Sequence, residues 1–378
     1  MIAPRKILAI KLRSLGDTVL MTAPLAELQR AYPDAEIHVA VHTPWAPLLK
    51  SHPAVDKIWN YDRHIETTSR AKALARLALQ LRKERYDAVL NFHASPSSST
   101  LAFATGAKVR SVHFHGHADR NRYSTVIVAG KGELKPIIER DMDAVRALGI
   151  QCPTGLLPKI YLTEEELESA ERRNQELGLT SPVLAIGIGA SRPTKSWPVD
   201  RFSAVAVSWC RETQGSVICF ISHDENDLAR DFQKGVDDAL TQQFRDLAER
   251  AKLRARISCE MGLPLRSLAA SLANASLFLG NDSGPKHMAV ALGTPSVTLF
   301  GPEDPFEWHP YPRENHEIAY IEGLPCRRDA HQGMRPWCGI HVCTEEKHRC
   351  MTEISVDLVF KKCLSHYDSA GRKNVRTS

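Results

Sequence analysis

Leu277-Phe278-Leu279-Gly280-Asn281-Asp282-Ser283-Gly284-Pro285-Lys286-His287 is the stretch on which the fold turns. An apolar run enters a polar turn, and a proline then opens a helical pattern. Short apolar runs bounded by turn residues read as fully buried strands, and proline is tolerated in the first turn of a helix. The stretch is therefore strand, tight turn, helix. Strands apolar on both faces belong to parallel sheets covered by helices on each side. At the helix start Ser283, Gly284 and Lys286 would present unpaired N–H groups and the positive end of the helix dipole, which suits a diphosphate. Asp282 has the wrong charge for phosphate. It is expected to meet sugar hydroxyls or to cap the helix, and His287 to pack against the core. A second buried strand, Ser296–Phe300, leads into Gly301-Pro302-Glu303-Asp304-Pro305, a loop expected to close the same edge.

The same alternation extends in both directions. Val183–Ile188, Val217–Ile221 and Ala255–Ser258 read as strands, with helices over Phe202–Thr213, Asn226–Leu253 (with a break) and Leu265–Asn274. Upstream, Lys6–Ile10, Glu36–Val41, Ala88–Phe92, Val109–Val112 and Thr125–Val128 read as strands. Val19–Ala31, Ala46–Ser51, Ser69–Arg85, Ser99–Thr105 and Ile137–Leu148 read as helices, and Ser95–Thr100 as a small-residue loop. Pro24 lies inside the first helical pattern, so that helix is expected to kink or to start late. Strand–helix–strand repetition predicts doubly wound parallel sheets. The breakers Gly149, Pro153, Gly155 and Pro158 mark a boundary between two halves. The expected architecture is α/β: one Rossmann-like lobe over 1–158 and a second over 159–353, to which the family resemblance named below gives the acceptor and the nucleotide-sugar donor respectively. A helix at about 354–366 packs back on the first lobe, and the polar tail after His366 frays. A cleft between lobes, at strand carboxyl ends, is where such sheets bind ligands.

Composition narrows the class. Lys plus Arg is 49 and Asp plus Glu is 44, a net charge of +5 over 378 residues, which is too mild to argue for nucleic acid. No run of about 18 apolar residues is present to span a bilayer. Lys11 and Arg13 interrupt the first apolar stretch, so it reads as a strand and not as a secretory segment. The expected location is the cytoplasm, with peripheral contact at an inner membrane allowed.

Two more loops carry chemistry. The first strand ends in Lys11-Leu12-Arg13-Ser14-Leu15-Gly16-Asp17 before a helix. Asp17 reads either as the cap of that helix or as a carboxylate placed to take a proton from a hydroxyl. Arg13 would keep it ionised or hold an anionic acceptor. In the second half, Gly187-Ile188-Gly189-Ala190-Ser191-Arg192-Pro193-Thr194-Lys195-Ser196-Trp197-Pro198 follows a strand. Ser191 and the small residues leave backbone N–H groups open to a phosphate, and Lys195 reads either as its counter-charge or as a solvated lysine.

Together these segments resemble the heptosyltransferases of glycosyltransferase family 9, over most of the chain. The resemblance is carried by Arg13-Ser14-Leu15-Gly16-Asp17, Ala31-Tyr32-Pro33, Lys195-Ser196-Trp197-Pro198, Gly280 to His287, Gly293-Thr294-Pro295, Phe300-Gly301-Pro302 and Cys350-Met351. It implies a GT-B fold and inverting transfer from ADP-heptose to a lipopolysaccharide-core or lipid A–Kdo acceptor, with no metal or other cofactor needed for catalysis. Asp17 matches the catalytic base, Lys195 the holder of the donor diphosphate, and Asp282, Ser283 and Gly284 the donor turn. Glu225 falls where the family places an acid near the nucleotide ribose, although Ile221-Ser222-His223 replaces the usual glycines. His93 and Ser95–Thr100 are expected on the acceptor side. Arg120 and Arg122 read as acceptor ligands or as plain surface arginines.

Cys326, Cys338, Cys343 and Cys350, interleaved with His331, His341 and His348, read as a structural Zn²⁺ or iron–sulfur site or as reduced thiols; the spacing is irregular and lacks a Cys-x-x-Cys knuckle. Three other functions share the overall pattern: a GT-B type nucleotide-sugar epimerase, a family 9 transferase with another donor, and a two-lobed sugar-binding protein.

Overall fold

The computed structural model describes residues 3–62, 67–93, 95–112, 122–128, 135–326, 338–345 and 347–374. The chain divides into two compact units, Met1–Tyr161 and Leu162–Ser378.

The first unit runs β1 (Lys6–Lys11), α1 (Leu15–Leu20), α2 (Thr22–Ala31), β2 (Glu36–His42), a 3-10 helix (Thr43–Leu49), β3 (Lys57–Tyr61), α3 (Thr67–Lys83), β4 (Ala88–Asn91), α4 (Pro96–Ala104), β5 (Val109–Val112) and α5 (Ile137–Arg146). Its parallel sheet has the order β3-β2-β1-β4-β5. Successive side chains of a strand point to opposite faces, and β1 shows the result. Ile7 and Ala9 join the apolar layer that includes Leu25 and Val145, while Leu8 and Ile10 join the layer that includes Leu81 and Leu101. The strand order reverses between β1 and β4, so the loops that follow these strands share the edge where doubly wound sheets bind ligands.

Pro24 does not kink a long helix. The helix breaks at Met21, so proline falls in the first turn of α2, where a missing N–H costs little. Thr125–Val128 is not a strand; the N–H groups of Thr125 and Val126 both donate to the Arg110 carbonyl. Ser95–Thr100 is a helix start and not a loop: Ser95 and Ser98 cap each other reciprocally at the head of α4.

The second unit runs α6 (Glu164–Glu176), β6 (Val183–Gly187), α7 (Val199–Thr213), β7 (Ser216–Ile221), α8 (Asn226–Gln243), α9 (Leu247–Arg254), β8 (Ile257–Met261), α10 (Leu265–Ala273), β9 (Leu277–Asn281), α11 (Gly284–Ala291), β10 (Ser296–Leu299), α12 (Pro305–Trp308), β11 (His316–Ala319), α13 (Arg349–Thr352) and α14 (Val356–Asn374). The parallel order is β11-β10-β9-β6-β7-β8, and its reversal lies between β6 and β9. Helix α14 is built into this unit: Val359 and Cys363 are buried in its core. That corrects the expected return of 354–366 to the first lobe. The helix also continues to Asn374, past the expected fraying point.

No helix among the described residues is long and apolar enough to cross a membrane.

Candidate active site

In the first unit the site grows from the end of β1. Ser14, not Asp17, is the N-cap of α1. Asp17 lies in the first turn, 5% exposed, and its Oδ2 accepts a hydrogen bond of 2.6 Å from the Ser14 hydroxyl. Asp17 Oδ1 is buried and accepts no hydrogen bond from any described residue. The Lys11 ammonium, itself buried, lies 3.7 Å from that oxygen. Burial pushes the Asp17 carboxyl up, but Lys11, then Arg13, the Ser14 hydroxyl and His93 outweigh it, and the group is held below its ordinary value. The result is a desolvated, ionised carboxylate with one lone-pair edge unsatisfied.

Lys11 is anchored by donating to both oxygens of Asp141, at 2.9 and 2.7 Å, and to the Phe92 carbonyl at 3.0 Å. Asp141, on α5, is raised to about 6, chiefly by burial. Asn91, at the end of β4, donates to the Ser98 hydroxyl at 3.1 Å and accepts the His93 N–H at 3.1 Å, which fixes the half-buried His93 beside this edge. The Arg13 side chain is exposed, and its carbonyl accepts the indole N–H of Trp45 at 3.1 Å. Arg120 lies outside the described residues. Arg122 is exposed and stacks its guanidinium 4.5 Å from the Tyr123 ring centre.

In the second unit, the loops after β6 and β9 meet at the strand reversal. Lys195 ends a 3-10 turn (Pro193–Lys195), and its ammonium donates to Asp282 Oδ2 at 2.6 Å. Asn281 ties the two loops together: its side chain accepts the Trp197 N–H at 3.1 Å and donates to the Ile188 carbonyl at 2.8 Å. Ser283 is the N-cap of α11, but its hydroxyl makes no capping bond; that oxygen is buried and unpartnered among the described residues. Gly284 and Pro285 form the first turn.

Lys286 differs most from its expected place. It is fully buried, donates to Asp282 Oδ1 and to the Trp308 carbonyl at 2.8 Å, and lies 4.4 Å from the Phe300 ring centre. Burial lowers its ammonium to about 8 despite the pull of Asp282. Its side chain is therefore committed to holding Asp282, and only its backbone belongs to the helix start. Burial opposes ionisation of Asp282, but Lys286 and Lys195 together hold it well below the usual carboxylate range. His287 packs inside as expected, paired through Nδ1 with the Tyr311 hydroxyl.

Ser191 is exposed on the same edge. Glu225 begins α8 and accepts the Ser222 N–H at 3.2 Å. It closes against Gly189, where a Cβ would come within 3.0 Å of Glu225 Oε2, so a larger residue there would push the carboxylate aside.

Among the described residues no three His, Cys, Asp or Glu side chains gather to hold an ion. Cys350 is buried in the core of the second unit, and the half-buried Cys326 packs against that core. His348 is committed to the Thr194 carbonyl at 2.9 Å, and His331 lies outside the described residues.

Sequence reasoning missed Lys11, Asp141, Asn91 and Asn281 as parts of these sites. Lys11 left a trace, a cation closing an otherwise apolar strand. Asp141 left none, because its partner is 130 residues away.

Comparison with known proteins places this geometry. Lipopolysaccharide heptosyltransferase 3 of Escherichia coli K12 is 25% identical over 309 residues, covering 79% of this chain and 83% of the relative. Two solved structures superpose over nearly the whole chain. Glycosyl transferase family 9 from Veillonella parvula has a TM-score of 0.73 at 22% identity, covering 96% and 97% of the two chains. E. coli ADP-heptose lps heptosyltransferase II has a TM-score of 0.72 at 21% identity, covering 97% and 99%. These likenesses support the GT-B architecture. The model of glycosyltransferase family 9 (heptosyltransferase) matches residues 74–335, more than half of the chain. The protein therefore belongs to glycosyltransferase family 9, the heptosyltransferases, and is a glycosyltransferase.

Proposed function

We propose that the protein transfers a heptose from ADP-heptose to a lipopolysaccharide-core acceptor with inversion, and that Asp17 is the general base. The observation that carries the reading is the buried Asp17 Oδ1, ionised beside Lys11 and without a hydrogen-bond donor. A lone pair in that condition is suited to accept a proton from a hydroxyl brought within hydrogen-bond reach. The donor and acceptor classes rest on the relatives, which are named for ADP-heptose and for lipopolysaccharide.

In this mechanism Asp17 takes the acceptor proton as the oxygen attacks the anomeric carbon, and ADP departs from the opposite face. Charge accumulates on the leaving diphosphate. Lys195, the backbone N–H groups at the start of α11 and the Ser283 hydroxyl answer it, because preorganised donors aimed at developing charge lower the barrier most. Asp282 orients Lys195, Lys286 orients Asp282, and Glu225 with Ser191 completes the nucleotide side. Arg13 and His93 face the acceptor.

Asp17→Asn is expected to lower transfer by roughly 10²–10⁴-fold while the affinity for ADP-heptose, read by calorimetry, stays within error. Retained transfer, or an equal loss of donor binding, overturns the base assignment.

A further inference from the structure

Lys11, Asp17 and Asp141 are all buried and come from two distant parts of the chain: the end of β1 with the turn after it, and the middle of α5. An ammonium has three protons to donate. Lys11 directs them to Asp141 Oδ1 at 2.9 Å, Asp141 Oδ2 at 2.7 Å and the Phe92 carbonyl at 3.0 Å. At 3.7 Å from Asp17 Oδ1 it is beyond hydrogen-bond range but well within that of an ion pair. The base therefore receives the stabilising charge of Lys11 without losing its lone pair to a Lys11 proton.

We propose that Asp141 is a positioning residue for the transfer reaction: by holding the Lys11 ammonium on itself and on the Phe92 carbonyl, it keeps Asp17 Oδ1 open to the acceptor hydroxyl, while the charge of Lys11 holds Asp17 ionised. The proposal rests on the assignment of Asp17 as base. A plain structural ion pair is the competing account. Buried pairs are, however, weak sources of stability compared with apolar packing, and that account gives no reason for a second carboxylate 3.7 Å from the same ammonium. The other groups bearing on Asp17 are Arg13, Ser14 and His93, and Arg140 also acts on Asp141. The Ser14 hydroxyl bonds Asp17 at Oδ2 and at the backbone N–H, and so leaves Oδ1 open.

The two partners should act on the base in opposite directions. In Asp141→Asn, Lys11 is released to bond Asp17 Oδ1 directly, which makes the carboxylate a weaker and occupied base. In Lys11→Met, Asp17 loses its counter-charge and keeps the repulsion of Asp141. The experiment compares pH profiles of kcat/KM for the acceptor in the wild type, Asp141→Asn and Lys11→Met, with thermal unfolding and ADP-heptose affinity as controls. Asp141→Asn is expected to lose roughly 10–100-fold in kcat, less than removal of the base itself, with donor affinity unchanged and the acid limb moved to lower pH. Lys11→Met is expected to move that limb to higher pH. An unmoved limb in folded Asp141→Asn, or limbs moved the same way in both variants, overturns the proposal. If Asp141→Asn does not fold, Lys11→Arg decides. Its spare N–H groups reach Oδ1 and are expected to lower the rate and the acid limb; a wild-type profile overturns the proposal. Asp17→Asn is run alongside: if it keeps transfer, the base assignment fails, whereas if it loses transfer while Asp141→Asn behaves as wild type, only the role of Asp141 falls.

Discussion

Lys286 shows how one side chain can change its meaning once its neighbours are placed. A lysine in the first turn of a helix reads as a phosphate ligand, but Asp282 sits four residues earlier and turns the ammonium inward. There it is fully buried between that carboxylate, the Trp308 carbonyl and the Phe300 ring. Removing one partner of a buried pair leaves the other uncompensated, at a cost of about 3–5 kcal/mol. Asp282 keeps Lys195, which moderates the loss. Lys286→Met is accordingly expected to destabilise by about 2–4 kcal/mol, below that full cost, and to weaken donor binding through a misplaced Lys195. Urea unfolding monitored by tryptophan fluorescence measures the first, and an unchanged midpoint would contradict the account. At this scale the sequence made Asp17, Lys195 and the Asp282–Gly284 turn readable as candidates, because residue type and strand-end position coincide there. The Lys11–Asp141 pair was not readable, since only the folded sheet brings it together.

The elements were most legible where both faces of a strand are buried. β1, β6, β9 and β10 announce themselves as unbroken apolar runs. The edge strands β3 and β11 escaped notice because each is short and broken by polar residues, Lys57 and Asn60 in the first and His316 and Glu317 in the second. Helix α6 was missed for lack of an apolar stripe, with Ala170 as its buried residue. Its signal was the capping box of Thr163 and Glu166. Where β6 and β9 pair, Gly187 stands opposite Gly280, and a Cβ on Gly280 would meet the Gly187 carbonyl at 2.9 Å and the Phe278 ring at 2.6 Å. Gly280→Ala is thus expected to cost about 1–3 kcal/mol, read as a lowered melting temperature. A neutral result would mean that the strands part more easily than their pairing implies.

At the scale of the molecule, each unit has its own core, and the units part between Tyr161 and Leu162, a few residues beyond the breakers Gly149 to Pro158. Each unit also buries histidines that must stay neutral. His52 in the first and His316 in the second are each lowered to about 4, mainly by burial. The unfolded chain protonates them near their ordinary value of 6.5, so their contribution is complete above that pH and is lost as the pH falls towards 4. A shift of this size corresponds to roughly 3 kcal/mol for each histidine. Urea midpoints are expected to fall steadily between about pH 6.5 and 4, with His52→Gln flattening the transition of the first unit and His316→Gln that of the second. Midpoints that stay level over this range would refute the assignment.

The Lys195–Asp282–Lys286 arrangement has a consequence for selectivity. Two ammonium groups share one carboxylate, so this trio offers an approaching anion a surplus of only one positive charge. Inorganic phosphate, a free nucleotide and a sugar diphosphate are drawn by it according to their charge and not their shape. Discrimination among them must come from contour and from uncharged donors such as the Ser283 hydroxyl, and salt should weaken capture only slightly. A trio so nearly neutralised adds little general attraction for the abundant small anions of a cell.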